Sequence, residues 1–360
     1  MSKILMKDVG SAQHVLLWPE NGKDSVVVDF GIGKDYPNKH IIPQCAPFPW
    51  PFEKLIISHF HEDHINGFSK ILGSYPKPYC SFDTIYYPKM PYMANTNSVC
   101  PQLLGLLVKA ISLGVARIFS QTQYSNLYNF LNDVIASNSK ILRFIPVSRG
   151  CQIPCGQHTI EIMWPIQTTT TTINRKILDD INSLFQQALA QILPLNQIYS
   201  FANSTLISAT ESFQNEFVFS NAFLRLYTQA LSTIMNNKLS KKQKSLMSSA
   251  QKKIKDVLNK WSIAFMTDDN ILFLGDLMAT QINNVCNNFI VGNKQMIDVL
   301  VAAHHGTHNG YKLKKLCAQH AIASIGNRLF GTKEEAKSRV VYSTIANTYA
   351  TTHQIGDIMI

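Results

Sequence analysis

The chain has 360 residues, 46% of them hydrophobic, and carries 33 basic against 23 acidic side chains, a formal net charge of +10. That length exceeds one average domain and suits a large α/β core with an insertion, and the apolar share with four Trp supports a sizeable core. No apolar run of about eighteen residues occurs, which excludes a transmembrane helix; Met1–Asp8 lacks a signal-peptide pattern and the seven scattered cysteines read as reduced thiols, so a cytoplasmic location is expected.

In chain order, the first functional signal is Val26–Val28, a β-branched run that leads into Asp29 and then Phe30-Gly31-Ile32-Gly33. Leu55–Ile57 leads into Ser58-His59-Phe60-His61-Glu62-Asp63-His64, which packs three imidazoles and two carboxylates into seven residues. Short apolar runs closed by Gly and polar residues read as buried strands with functional loops at their carboxyl ends. His158 enters another expected strand before Trp164-Pro165 and reads as a surface or capping residue. Residues 167–258 change character: they open on Thr168–Thr172 and contain no His, Cys or Gly. Ile177, Leu178, Ile181, Leu184, Phe185 and Leu189 recur at helical spacing, and further helices are expected around Phe213–Met235 and Lys241–Lys260. Strand patterns then resume. Ile271–Leu274 leads into Gly275-Asp276, and Val299–Ala303 leads into His304-His305-Gly306-Thr307. Residues 1–166 and 259–360 are therefore expected to form one core, interrupted by an all-helical insertion over 167–258. The apolar stripes of that insertion read as packing surface, with an oligomer contact or a lid as the alternatives.

Four strands ending in Asp, a His cluster, Asp and His-His point to one site on one rim of a sheet. His-x-His-x-Asp-His offers nitrogen and oxygen donors suited to zinc or manganese. In this the chain resembles the metallo-β-lactamase fold superfamily, whose first, second, fourth and fifth motifs match the Asp29, His59–His64, Asp276 and His304/His305 segments in order. Within it, Asn259–Phe265, Ile271–Asp276, Asp298–Thr307, Ala323–Asn327 and Thr352–Ile360 resemble the hydrolase domain of DNA-uptake channel proteins of the ComEC type. The resemblance implies a four-layer αβ/βα sandwich, two divalent metal ions (Zn or Mn) and hydrolysis. It departs in two places. The third-motif His is missing, and that type places an Asn-x-x-Ser segment there, here Asn259 to Ser262. Gly331-Thr332-Lys333 stands where that type often has Gly-His-Pro.

A divalent metal lowers the pKa of bound water toward neutrality, and a pair of them can hold both the nucleophile and the departing oxygen of a phosphodiester. His59 and His61 would serve one metal; Asp63, His64, Asp276 and one of His304 or His305 would serve the other, with Asp276 bridging. Hydrolysis is expected to depend on Asp63 and His64. Asp29 reads either as the group that holds the second ring nitrogen of a ligating His or as a strand-end turn residue.

Between Lys238 and Lys260 eight lysines face one acid. Such a run is commonly a solvated helix face, yet beside a two-metal site it suits a polyanion, so Lys241, Lys242 and Lys244 are candidate substrate contacts. The expected function is a metal-dependent phosphodiesterase or nuclease acting on DNA or RNA. The alternatives are a hydrolase of a small ester, lactone or thioester, and a non-catalytic binding protein.

Overall fold

The computed structural model describes residues 3–20, 24–36, 54–59, 61–65, 84–89, 143–166, 257–289 and 295–360, with shorter pieces between 180 and 249. Two mixed sheets face each other. In chain order the strands are β1 (Lys3–Met6), β2 (Val15–Trp18), β3 (Val26–Val28), β4 (Lys54–Ile56), β5 (Thr84–Pro88), β6 (Arg143–Val147), β7 (Gln152–Cys155), β8 (His158–Trp164), β9 (Phe217–Val218), β10 (Ala264–Thr267), β11 (Ile271–Phe273), β12 (Gln295–Val301), β13 (Leu316–Ala323), β14 (Ala346–Thr351) and β15 (Ile358–Met359), with the one-turn helix α1 (Glu62–Ile65) after β4. The first sheet has the order β15-β1-β2-β3-β4-β5-β6-β9 and the second β14-β13-β12-β11-β10-β8-β7. The strands that matter for the site are β3 (Val26–Val28), β4 (Lys54–Ile56), β11 (Ile271–Phe273) and β12 (Gln295–Val301). β3 and β4 pair in parallel with Val28 opposite Ile56, and β11 and β12 pair in parallel with Phe273 opposite Val301. Each sheet thus sends two neighbouring carboxyl ends toward one rim.

The strands form here because their side chains are buried on both faces, as a parallel sheet covered on two sides requires. Val26, Val28, Ile56, Phe265, Ile271, Phe273, Val299 and Val301 belong to the cluster between the sheets. The opposite face of the second sheet, with Leu272, Leu300 and Ala321, packs under α2 (Ala279–Phe289) and α3 (Lys333–Ile345) through Ile282, Val285 and Tyr342. Thr332 caps α3 by accepting the Glu335 N–H, with Glu334 and Glu335 in the first turn. The architecture is the α/β sandwich expected from the sequence. The helices expected over the first sheet lie outside the described residues, and so does most of the 167–258 segment.

Within that segment some described residues between 180 and 197 and between 241 and 249 are helical, but Phe217–Val218 form β9, a strand on the edge of the first sheet, antiparallel to β6 (Arg143–Val147). An aromatic and a β-branched residue beside an open strand edge favour pairing over helix. On either side of the segment, β8 (His158–Trp164) and β10 (Ala264–Thr267) are antiparallel neighbours. The core sheet is therefore continuous across the point where the intervening residues leave it. No helix among the described residues is long and apolar enough to cross a membrane.

His14 lies in this core with no exposed surface, its ring 4.3 Å from that of Phe30, and neither ring nitrogen has a hydrogen-bond partner. Burial, reinforced by the Lys7 ammonium, pushes its pKa down to about 3. A folded-state pKa below the unfolded one makes stability full above pH 6.5 and progressively lost as pH falls toward 3. At roughly 1.4 kcal/mol per unit, lowering pH from 7 to 4.5 should remove about 2–3 kcal/mol through this one residue. His14→Leu is expected to lose correspondingly less stability over that interval in urea unfolding at the two pH values; an unchanged loss would place the acid sensitivity elsewhere.

Candidate metal centre

Three residues past the paired positions of each parallel couple, the chain delivers its polar groups: His59 follows Ile56, Asp276 follows Phe273 and His304 follows Val301. The rim is stitched together by backbone bonds, Ile263 N–H to Ser58 O at 2.8 Å and His304 N–H to Gly275 O at 2.9 Å. Two glycines make this approach possible. A Cβ on Gly31 would lie 1.5 Å from the Asp63 carbonyl oxygen, and one on Gly275 would lie 2.3 Å from Ser262 Oγ. Asp29, His304 and His305 hold positive φ values of 57°, 48° and 54°. Such conformations cost non-glycine residues free energy and persist where the surroundings over-determine them, commonly at functional sites.

Asp276 is the centre of the cluster. Its Oδ2 lies 3.3 Å from His64 Nε2, 3.5 Å from His59 Nε2, 3.6 Å from His304 Nε2 and 3.9 Å from His305 Nε2. His305 Nε2 also lies 3.6 Å from Asp63 Oδ2. The donors fall into two trios whose ligand atoms lie within 4.8 Å of one another: His59, His61 and Asp276, and Asp63, His64 and His305. Every metal candidate named from the sequence thus reaches one place.

Asp29 is fully buried and accepts three bonds: from Ser58 N–H at 2.7 Å, Ser58 Oγ–H at 2.6 Å and His64 Nδ1–H at 2.7 Å. His64 Nε2 lies 3.3 Å from Asp276 Oδ2 without the geometry of a hydrogen bond. Both ring nitrogens of buried His305 also lack a hydrogen-bond partner. Sequence reasoning missed His308. Its Nδ1–H donates to the Leu277 carbonyl at 3.3 Å, so its Nε2 accepts from His304 Nδ1–H at 3.0 Å, a bond shared with Thr307 Oγ1. The signal was present as a third imidazole four residues after His304. Asn259, in the place of the missing third-motif His, donates its amide toward His304 Nε2 at 3.4 Å. Ser262 Oγ accepts the Asp276 N–H at 2.9 Å. Of the candidate substrate lysines, Lys241 and Lys242 are exposed, and Lys244 lies outside the described residues.

Burial alone would suppress charge on every one of these groups. The facing Asp276 and Asp29 carboxylates override it at His64 and raise its pKa well above the usual value. Burial likewise works against the Asp276 carboxylate, but His64, His304 and His59 hold it far below its normal range. Burial and the charge of His64 push His59 down, and burial takes His304 to about 4. The pocket is therefore built to hold concentrated positive charge against two carboxylates. Orphaned imidazole nitrogens beside a low-pKa carboxylate are the donor set of a divalent transition metal.

Residues 9–132 match the model of the metallo-beta-lactamase superfamily. Among solved structures, the metallo-beta-lactamase fold protein YhfI from Bacillus subtilis matches over 99% of each chain, at 10% identity and a TM-score of 0.38. No curated protein matches the chain. The matched domain and the two facing sheets define an α/β sandwich of the metallo-β-lactamase type, a fold that usually binds divalent metals such as zinc and suggests a metal-dependent hydrolase.

The Asp29–His64 bond gives a direct test. Replacing Asp29 by Asn removes the charge that fixes the imidazole, and loss of such a supporting carboxylate costs about 10–100-fold in metal affinity. Zinc titration of Asp29→Asn is expected to show that weakening with the far-UV spectrum intact.

Proposed function

We propose that the chain is a two-metal hydrolase of phosphodiester bonds in nucleic acid. The observation that carries the reading is the position of Asp276 Oδ2, which faces four imidazoles, three of them (His59, His64 and His305) members of the two donor trios. In this reading His59, His61 and Asp276 would hold one ion and Asp63, His64 and His305 the other. His305, with neither nitrogen hydrogen-bonded, is a ligand in preference to His304, whose ring is tied to Thr307, His308 and Asn259. When bound, the metals supply an acidified water and charge neutralisation for phosphate oxygens.

The protein's own groups do the rest. Asp29 and Ser58 hold His64 in one tautomer, and the His308–His304 pair fixes the opposite wall. Asp63, about a third exposed at 32%, is the carboxylate on the open side; against burial, the facing His305 and His64 hold its pKa well below the usual carboxylate range and keep it ionised, as a ligand must be. A polyanionic substrate is supported by the chain's +10 charge and by the short helix Tyr311–Lys315, a few residues beyond His308. There Tyr311 is 67% exposed and Lys312, Lys314 and Lys315 follow it, with the Lys312 ammonium 5.2 Å from the Tyr311 ring. An exposed aromatic among lysines suits base stacking beside phosphate binding. The exposed Lys241 and Lys242 add to the same sign of charge. The motif resemblance to the DNA-uptake hydrolase domain agrees.

The test is metal analysis of purified protein with cleavage assays on single- and double-stranded DNA and RNA in Mn²⁺, Zn²⁺ and Mg²⁺. Cleavage is expected, and Asp63→Ala or His64→Ala should lower it at least about a thousandfold, or roughly 4 kcal/mol of barrier. Turnover of small esters or thioesters with no nucleic acid cleaved in any metal would replace the phosphodiesterase reading. Changing Lys312, Lys314 and Lys315 to Gln should weaken binding of nucleic acid and reduce its log–log salt slope by about 0.7–0.9 for each phosphate no longer neutralised. Parent-like binding at every salt concentration would remove these lysines from the substrate path.

A further inference from the structure

The loop after β12 displays His304 and His305 in a strained backbone conformation. Three successive residues, His304, His305 and Gly306, have φ values of 48°, 54° and 75°. A left-handed turn costs residues with side chains free energy and lasts only where its surroundings over-determine it. Within the turn Gly306 N–H donates to the Ala303 carbonyl at 2.9 Å and Thr307 N–H to the His304 carbonyl at 3.0 Å. The groups at its two ends, Ala303 N–H and the His308 carbonyl, are met from outside the loop.

Helix α3 meets them. Ala303 N–H, at the entry to the turn, donates to the Tyr342 hydroxyl oxygen at 3.0 Å. The same hydroxyl donates to the His308 carbonyl, at the exit, at 2.6 Å. One oxygen thus ties both ends of the segment that carries His304 and His305, using its donor and one of its acceptor sites. One helical turn earlier, Ser338 Oγ–H donates to the Thr307 carbonyl at 2.8 Å and accepts from Asn309 Nδ2 at 2.8 Å. Residues four apart share a helix face, so α3 presents two hydroxyls to one loop. Tyr342 and Ser338 have no exposed surface, which keeps water from competing for these bonds. Burial also pushes the Tyr342 pKa above its ordinary value, so the hydroxyl keeps the proton it donates. The ring of Tyr349 lies 6.0 Å from that of Tyr342 and within 9° of parallel, yet its buried hydroxyl has no hydrogen-bond partner among the described residues. Two stacked tyrosines therefore differ in one respect: only one hydroxyl holds the loop.

We propose that the Tyr342 hydroxyl, supported by Ser338, positions His305 as a metal ligand. It touches no donor atom and acts through the backbone on either side of the turn. Without it the ends at Ala303 and His308 are free to relax out of the left-handed conformation. His305 Nε2 then leaves its place 3.6 Å from Asp63 Oδ2 and 3.9 Å from Asp276 Oδ2. Tyr342 is thus a positioning residue for the ion assigned to Asp63, His64 and His305. The inference rests on that assignment and is independent of which bond the rim hydrolyses.

The experiment uses the full chain and Zn²⁺ alone, titrated in competition with a chromogenic chelator. It compares the parent, Tyr342→Phe, Tyr349→Phe, His305→Ala and the double variant His305→Ala/Tyr342→Phe. In Tyr342→Phe one zinc equivalent is expected to bind about 10–100-fold more weakly, the range for losing a group that supports a ligand, while the other stays parent-like. Tyr349→Phe removes the neighbouring hydroxyl and should match the parent at both. In the His305→Ala background the remaining zinc should bind equally with and without the Tyr342 hydroxyl, because the coupling runs through that imidazole. The visible spectrum of the Co²⁺-loaded protein should change in Tyr342→Phe and not in Tyr349→Phe. Parent-like zinc affinity in Tyr342→Phe would overturn the proposal and leave the assignment of the rim untouched. So would an equal weakening with and without His305, which would make Tyr342 a stabiliser of the fold at large. A parent that binds no zinc overturns the assignment and the proposal together. If Tyr342→Phe fails to fold, Ser338→Ala decides: weaker binding of one equivalent supports the hold of α3 on the loop, and parent-like affinity overturns it.

Discussion

The structure of the rim depends on one buried carboxylate. Asp276 is 2% exposed, and an ionised carboxylate so placed is tolerable only where positive or strongly polar groups face it. Here four imidazole nitrogens do so, and Ser262 receives its backbone N–H. The histidines come from the loops after β4 and β12, whereas Asp276 follows β11. The charge therefore couples the two sheets: a shift of either parallel register would move a ligand off the centre. The same charge accounts for the raised pKa of His64 between Asp276 and Asp29. Acid–base character in this pocket is a property of the cluster, since each group's state is set by its neighbours.

Backbone constraints share in that arrangement. The loops that carry the donors come so close that Gly31 and Gly275 have no room for a side chain. Asp29, His304 and His305 accept a left-handed conformation that most residues avoid. The strain is held by the flanking strands, whose apolar residues fill the space between the sheets. A rigid parallel couple on each side fixes the donors before any ligand arrives, which limits reorganisation on binding.

The two ends of the sandwich divide their tasks. The rim gathers the strained loops and the densest set of titratable side chains, and the basic Tyr311–Lys315 helix lies just beyond it in sequence. The far end holds short turns, the Lys54–Asp24 pair and the His158–Asp268–Asp269 trio. Catalytic loops at the carboxyl ends of strands and stabilising interactions at the amino ends are a common division in α/β folds, because parallel strands present all their carboxyl ends to one side.

Much of the rim was legible in the sequence. Apolar runs closing on Asp29, His59–His64, Asp276 and His304–His305 located the strands and the ends where polar groups gather, because burial on two faces imposes continuous apolar runs and the polar groups follow them. Asp276 as the central carboxylate was likewise implied by donor chemistry. Tertiary structure decided what depends on distance between remote segments. Asp29 serves His64 because β3 and β4 pair in parallel; nothing local distinguishes that from a turn aspartate. His308 orients His304 through a ring interaction four residues away that competes with ordinary solvation. His158, read as a capping residue, is drawn to Asp268 and Asp269 by the β8–β10 pairing across more than a hundred residues of sequence. Within the segment expected to be wholly helical, Phe217–Val218 form a strand because an open edge of the first sheet is there to receive them. Sequence patterning records which side chains must be buried and which chemistry is present; which donors meet is fixed only when strand pairing brings distant ends of the chain together.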